Sequence, residues 1–139
     1  MSDLHSLIGE TVTKVELSQD KHYLRFTLLN KSVVVWSAVG DCCSDSWFES
    51  AESFGFGGDH NRVCRVDCID GPERDGGELK IYFCTVMGSC GRLCIEMRNS
   101  SNGYYGGSIV VSNEPRDQYD SAPRFDADNP APVWNEVRP

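Results

Sequence analysis

The strongest constraint on this chain is a hydrophobic alternation with a period of two. Residues 23–29 set Leu24, Phe26 and Leu28 on one side and Arg25 and Thr27 on the other. Residues 11–17 read the same way, with Thr11, Thr13, Val15 and Leu17 sharing a side. Successive side chains of a strand point to opposite faces, so each segment can bury one face and needs a second apolar surface to cover it. The apolar run 32–36 adds a third strand, and the polar stretch 18–21 and Asn30-Lys31 supply the connections of an antiparallel meander. Residues 62–69, 79–86, 92–97 and 108–112 are also strand-like. The stretches 70–77, 87–91 and 99–107 separate them with Gly, Pro and polar turn chemistry. The fold class expected is mainly β: about seven antiparallel strands in a small barrel, a sandwich or a strongly twisted sheet.

One segment reads differently. Residues 43–53 are expected to form a short helix beginning within 41–46, capped by Asp41 or Ser44, with Ser46-Trp47-Phe48-Glu49 as a capping box. The last part of the chain also changes character. Five of the six prolines fall at Pro115, Pro123, Pro130, Pro132 and Pro139, which sets an acidic, Pro-rich tail at 113–139 apart from a β-rich core at 1–112. That tail carries Phe125, Val133 and Trp134, more apolar surface than a spacer requires, so these residues are expected to dock on the core or on a second subunit.

Two strings are distinctive: Gly40-Asp41-Cys42-Cys43-Ser44 followed by Trp47-Phe48-Glu49, and Ser100-Ser101-Asn102-Gly103-Tyr104-Tyr105-Gly106-Gly107. In this order, after an opening Leu7-Ile8-Gly9, they resemble a small family from bacteriophages and prophages that carries a domain of unknown function. The resemblance covers about residues 4–112. It implies a phage origin and expression in a bacterial cytoplasm, and it implies no activity.

Seven cysteines, an odd number, with no basic and apolar leader at the start of the chain, predict reduced thiols in the host cytoplasm. Cys64, Val66 and Cys68 read as one core face. Zinc needs ligands converging at about 2.0–2.3 Å. Cys64 and Cys68 on a strand stand roughly 13 Å apart at about 3.3 Å per residue, so no metal and no cofactor are expected. Cys42 or Cys43 at a helix start, with His60 as base, is the one arrangement that would suit thiol catalysis. The flanking Asp41 and Asp45 oppose it by raising a thiol pKa, so no enzyme is expected. The carboxylates at 67–78 read as a solvated turn, and Gly55-Phe56-Gly57-Gly58 lacks the Lys and setting of a phosphate loop.

Binding is the better use of these residues. Asn102-Gly103 supplies a positive-φ turn, Tyr104 and Tyr105 offer flat amphipathic surfaces, and Gly106-Gly107 permits close approach. Asp41, Trp47 and Trp134 complete the candidate set. The net charge of −8 sets the chain against nucleic acid and anionic membrane as direct partners. The expected function is a non-enzymatic binding protein that occludes a basic surface of a host protein or sequesters a small anionic ligand, inhibiting a host machine or an antiphage defence. A homo-oligomer, a virion assembly protein using the tail as a docking arm, and a Cys-dependent enzyme are the alternatives.

Overall fold

A computed structural model describes residues 4–40, 44–74, 76, 78–101, 106–111 and 132–138. A 3-10 turn at Leu4–Leu7 precedes nine strands: β1 (Val12–Ser18), β2 (Tyr23–Leu28), β3 (Val33–Gly40), β4 (Asp45–Phe54), β5 (Val63–Arg74), β6 (Leu79–Gly88), β7 (Arg92–Ser100), β8 (Gly107–Val111) and β9 (Trp134–Glu136). They form two antiparallel sheets, one ordered β8-β3-β2-β1-β9 and the other β4-β7-β6-β5. The meander β1-β2-β3 is as the alternation predicts. Its turns are held by side chains: Asp20 Oδ1 accepts from Ser18 Oγ and from the His22 amide, and Asn30 Oδ1 accepts from the Ser32 amide and Oγ.

Register explains the core. In the first sheet Val15 lies opposite Phe26, Phe26 opposite Val34, Leu24 opposite Trp36 and Trp36 opposite Val111. In the second sheet Phe48 lies opposite Met97, Cys84 opposite Ile95, and Val86 opposite both Leu93 and Val66. The two apolar faces pack as one cluster in which Phe26, Trp36, Phe48, Leu93, Ile95 and Ile109 are all at most 2% exposed. Each such side chain stabilises the fold by about 1.5–3 kcal/mol relative to exposure.

Several local expectations are corrected. No α-helix forms over the described residues 44–53, where β4 pairs along its whole length with β7. A bulge at Glu49 inserts one residue between the Phe48 and Ser50 pairings, breaking the period of two that would have marked a strand. A second bulge between Val12 and Lys14 turns Val12 inward with Val15 and Leu17, in place of Thr11 and Thr13. A third, between Val63 and Arg65, leaves Cys64 exposed while Val63 and Val66 enter the core. β5 also runs on through Gly71 and Pro72 to Arg74, as an edge strand whose outer side needs no proline N–H. The thiols are not all reduced: Cys68 and Cys84 stand directly opposite each other, 4.1 Å apart at Cα, and form a disulfide. Cys68 is therefore half-buried at a cross-strand bond.

The end of the chain returns to the core. β9 pairs with β1, extended by hydrogen bonds from the Gln19 amide to Val133 O (2.8 Å) and from the Val137 amide to Val15 O (2.9 Å). Glu16, 7% exposed, accepts Nε and Nη2 of Arg25 at 3.0 and 2.8 Å. The same guanidinium lies 4.4 Å from the centre of the Trp134 ring. Trp134 thus docks on the outer face of the five-stranded sheet. Val133 does not dock and is 64% exposed, and Phe125 lies outside the described residues.

Two stability outcomes follow. The Cys68→Ala/Cys84→Ala variant should lose about 3 kcal/mol in denaturant melts, the loop-closure value for a 16-residue separation; an unchanged midpoint would show that the bond adds nothing. Trp134→Ala should cost about 1–2 kcal/mol through lost burial and cation–π contact, while Val133→Ser should stay within about 0.5 kcal/mol. Equal effects at the two positions would contradict the docked geometry.

Candidate functional site

The described residues that flank the two distinctive strings meet at one end of the molecule. Residues 41–43 join β3 to β4, and residues 102–105 join β7 to β8. Gly40 lies opposite Gly107 in one sheet, and Asp45 lies opposite Ser100 in the other. Of the candidate binding residues, Asp41, Asn102, Tyr104 and Tyr105 lie outside the described residues. Their anchors are well defined. Asn99, fully buried, donates Nδ2 to Ser44 Oγ at 3.0 Å and to Ser46 Oγ at 2.8 Å, tying the β7 end to the β4 start. Its Oδ1 has no hydrogen-bond partner among the described residues. The Gly107 amide donates to Tyr82 Oη at 3.3 Å. A Cβ at Gly107 would press on Ser46 Oγ and stand 3.2 Å from Val39 O, and one at Gly40 would meet Ser44 O at 2.9 Å. Glycine at these positions is required by the close crossing of the backbones. Beneath this end lies a cavity of about 90 Å³ whose lining includes Tyr82, Met97, Ile109 and the Cys68–Cys84 bond.

The other two candidates stand elsewhere, on opposite outer faces. Trp134 covers Arg25 on the five-stranded sheet. Trp47 projects from β4 on the outside of the four-stranded sheet, beside its cross-strand neighbour Arg98. Its Nε1–H donates to Glu49 Oε2 at 2.8 Å. That hydrogen bond, aided by the charges of Arg98 and Lys21 and opposed by partial burial, holds the Glu49 carboxyl below the ordinary glutamate value. Arg98 also pairs with Glu96 at 2.7 Å. The bulge that puts Glu49 beside Trp47 is the same one that disguises the strand.

Of the thiol arrangement, the structure describes His60. Cys42 and Cys43 lie outside the described residues, but Ser44, next in the chain, is at the Ser100 end of β7. His60 is at the other end, where its carbonyl accepts from Ser89 Oγ in the β6–β7 turn. The length of β7 lies between them, roughly 25 Å at about 3.3 Å per residue. Among the described residues no three His, Cys, Asp or Glu side chains group to hold a metal ion. Cys64 donates to Met87 O, Cys90 sits in the exposed β6–β7 turn, and Cys94 faces outward from β7.

One surface was missed by sequence reasoning. On β6, Ile81, Phe83, Thr85 and Met87 alternate with the core-facing Tyr82, Cys84 and Val86, so this strand is apolar on both faces. That doubled pattern was the available signal. It places Phe83 outside beside Ile69 of β5, and Met87 outside beside Arg65.

The fold and its ends define a two-sheet antiparallel β-sandwich that carries its distinctive strings on inter-sheet connections. A family described as Domain of unknown function (DUF7448) matches residues 5–111, and the chain belongs to that family. No curated protein and no solved structure matches it.

The Trp47–Glu49 contact is measurable. Because the folded carboxyl is held low, the contact stabilises the fold above the ordinary glutamate pKa and is lost as pH falls through the lowered one. The Trp47 indole N–H resonance should titrate with a midpoint below the ordinary glutamate value, and the step should vanish in Glu49→Gln. A midpoint at or above that value would show that the hydrogen bond does not favour the ionised form.

Proposed function

We propose that this chain is a non-enzymatic binding protein, acting by occluding a basic surface of a partner protein. The observation behind this reading is that the residues flanking both distinctive strings meet at one end of the sandwich, with Gly40 opposite Gly107 and Asp45 opposite Ser100, the arrangement by which loops on a scaffold carry recognition. The net charge of −8 indicates the partner's sign, since an acidic surface speeds encounter with a basic one and repels nucleic acid. The resemblance to bacteriophage and prophage proteins makes the partner a component of a host machine or an antiphage defence, met in the host cytoplasm. A small anionic ligand fits this charge less well.

Full-length protein immobilised and exposed to infected-cell extract should retain a basic protein. Direct binding of that protein, once purified, should weaken steeply as ionic strength rises from ~0.01 to ~0.15 M, where the Debye length falls from about 30 to about 8 Å. Substituting Tyr104 and Tyr105 by Ala should reduce it further. Salt-independent retention, or recovery of the chain as a stoichiometric part of purified virions, would reject the reading in favour of an assembly role.

A further inference from the structure

Of the eight large apolar side chains exposed among the described residues, four share one surface. Phe54 (49% exposed), Ile69 (65%), Phe83 (37%) and Met87 (39%) all stand on the four-stranded sheet on the side away from the core. The register requires it. Ile69 pairs with Phe83, Met87 pairs with Arg65 and with Arg92, and Arg92 pairs with Phe54, while their chain neighbours Val66, Cys84, Val86 and Leu93 point inward. The other four, Ile8, Leu29, Val33 and Val133, are scattered over turns and strand ends. Clustered apolar side chains on an open sheet face mark an interaction surface, where single ones do not.

Within this face a basin of about 300 Å³ is lined by Ser50, Glu52, Phe83, Thr85, Cys94 and Glu96, with the inward-facing Cys84 and Ile95 at its floor. Its charge is unbalanced. Arg65 is engaged by Asp67 at 2.7 Å, Arg98 by Glu96 at 2.7 Å and by Glu49 at 3.9 Å, and Arg92 lies over the Phe54 ring at 4.7 Å. Glu52 is exposed and has no cationic partner among the described residues. The basin therefore offers one uncompensated carboxylate across β7 from an aromatic ring, a set of groups that suits a guanidinium or ammonium group.

We propose that the outer face of the four-stranded sheet is a second docking surface for the basic partner, with an Arg or Lys of that partner entering the basin between Glu52 and Phe83 and apolar side chains covering Ile69 and Met87. This rests on the reading of a basic protein partner given above and adds a contact surface to the end that carries the two connections.

The test uses the full chain, isotope-labelled, titrated with a synthetic peptide of alternating Arg and Leu, with a Glu and Leu peptide as control. Amide shifts centred on Glu52, Phe83, Thr85 and Cys94 are expected with the basic peptide alone. Affinity should fall about tenfold in Glu52→Lys and again in Ile69→Asp, two exposed substitutions that leave the core untouched. Shifts confined to the Ser44–Asn99–Gly107 end would overturn the surface while leaving the basic partner standing. No binding of the basic peptide anywhere would overturn both. Concentration-dependent dimers abolished by Ile69→Asp would identify the occupant as a second copy, and would also overturn the proposal.

Discussion

Everything in this fold depends on two half-buried sheets covering each other. Neither sheet has an apolar face that water could tolerate alone, and each supplies the lid the other lacks. The contact is made by rings and branched chains from both sides, with Phe26 and Trp36 from one sheet and Phe48, Leu93 and Ile95 from the other. Because the inner faces are fixed by this packing, strand register is fixed too. A slip of one residue would carry Leu24, Phe26 and Leu28 to the outside together. The outward residues are then free to serve other ends, and they do so differently on the two sheets: an ion pair roofed by an indole on one, an uncovered apolar ridge with an acidic hollow on the other.

How much of this could be read from the residues depends on how regular each strand is. The β2 segment alternates without interruption, and its faces are assigned correctly from sequence. β4 contains one extra residue at Glu49, and that single insertion makes Ser46-Trp47-Phe48-Glu49 resemble a helix start when it is a strand. β5 misleads for the same reason at Cys64, and its continuation through Gly71 and Pro72 has the composition of a turn. β9 is three residues long and owes its existence to a partner strand more than a hundred residues away, so no local pattern could announce it. The Cys68–Cys84 bond is likewise a product of register, since only the pairing of β5 with β6 sets those two side chains opposite each other. Of the candidate binding residues, the structure describes the two tryptophans, and no local pattern in the sequence signals that Trp47 and Trp134 end on opposite faces.

The end that carries the two inter-sheet connections shows how polar groups are used inside an apolar fold. A buried amide such as Asn99 is costly unless its hydrogen bonds are made, and here it spans two serines of a neighbouring strand. The glycines facing each other across β3 and β8 serve the same crossing by removing bulk. These residues hold the described bases of both connections in place.

The pairing of β9 with β1 sets a direction for mechanical load. The two strands run antiparallel, with Ser18 opposite Trp134 and Glu16 opposite Glu136, so β1 enters the pair and β9 leaves it at the same end. Tension applied through the chain on those two sides would pull the strands apart from that end, loading one hydrogen bond at a time instead of shearing the row together. The seam should peel at low force, with the Trp134–Arg25 stack as the last contact to part, while the other strands of the sandwich remain paired.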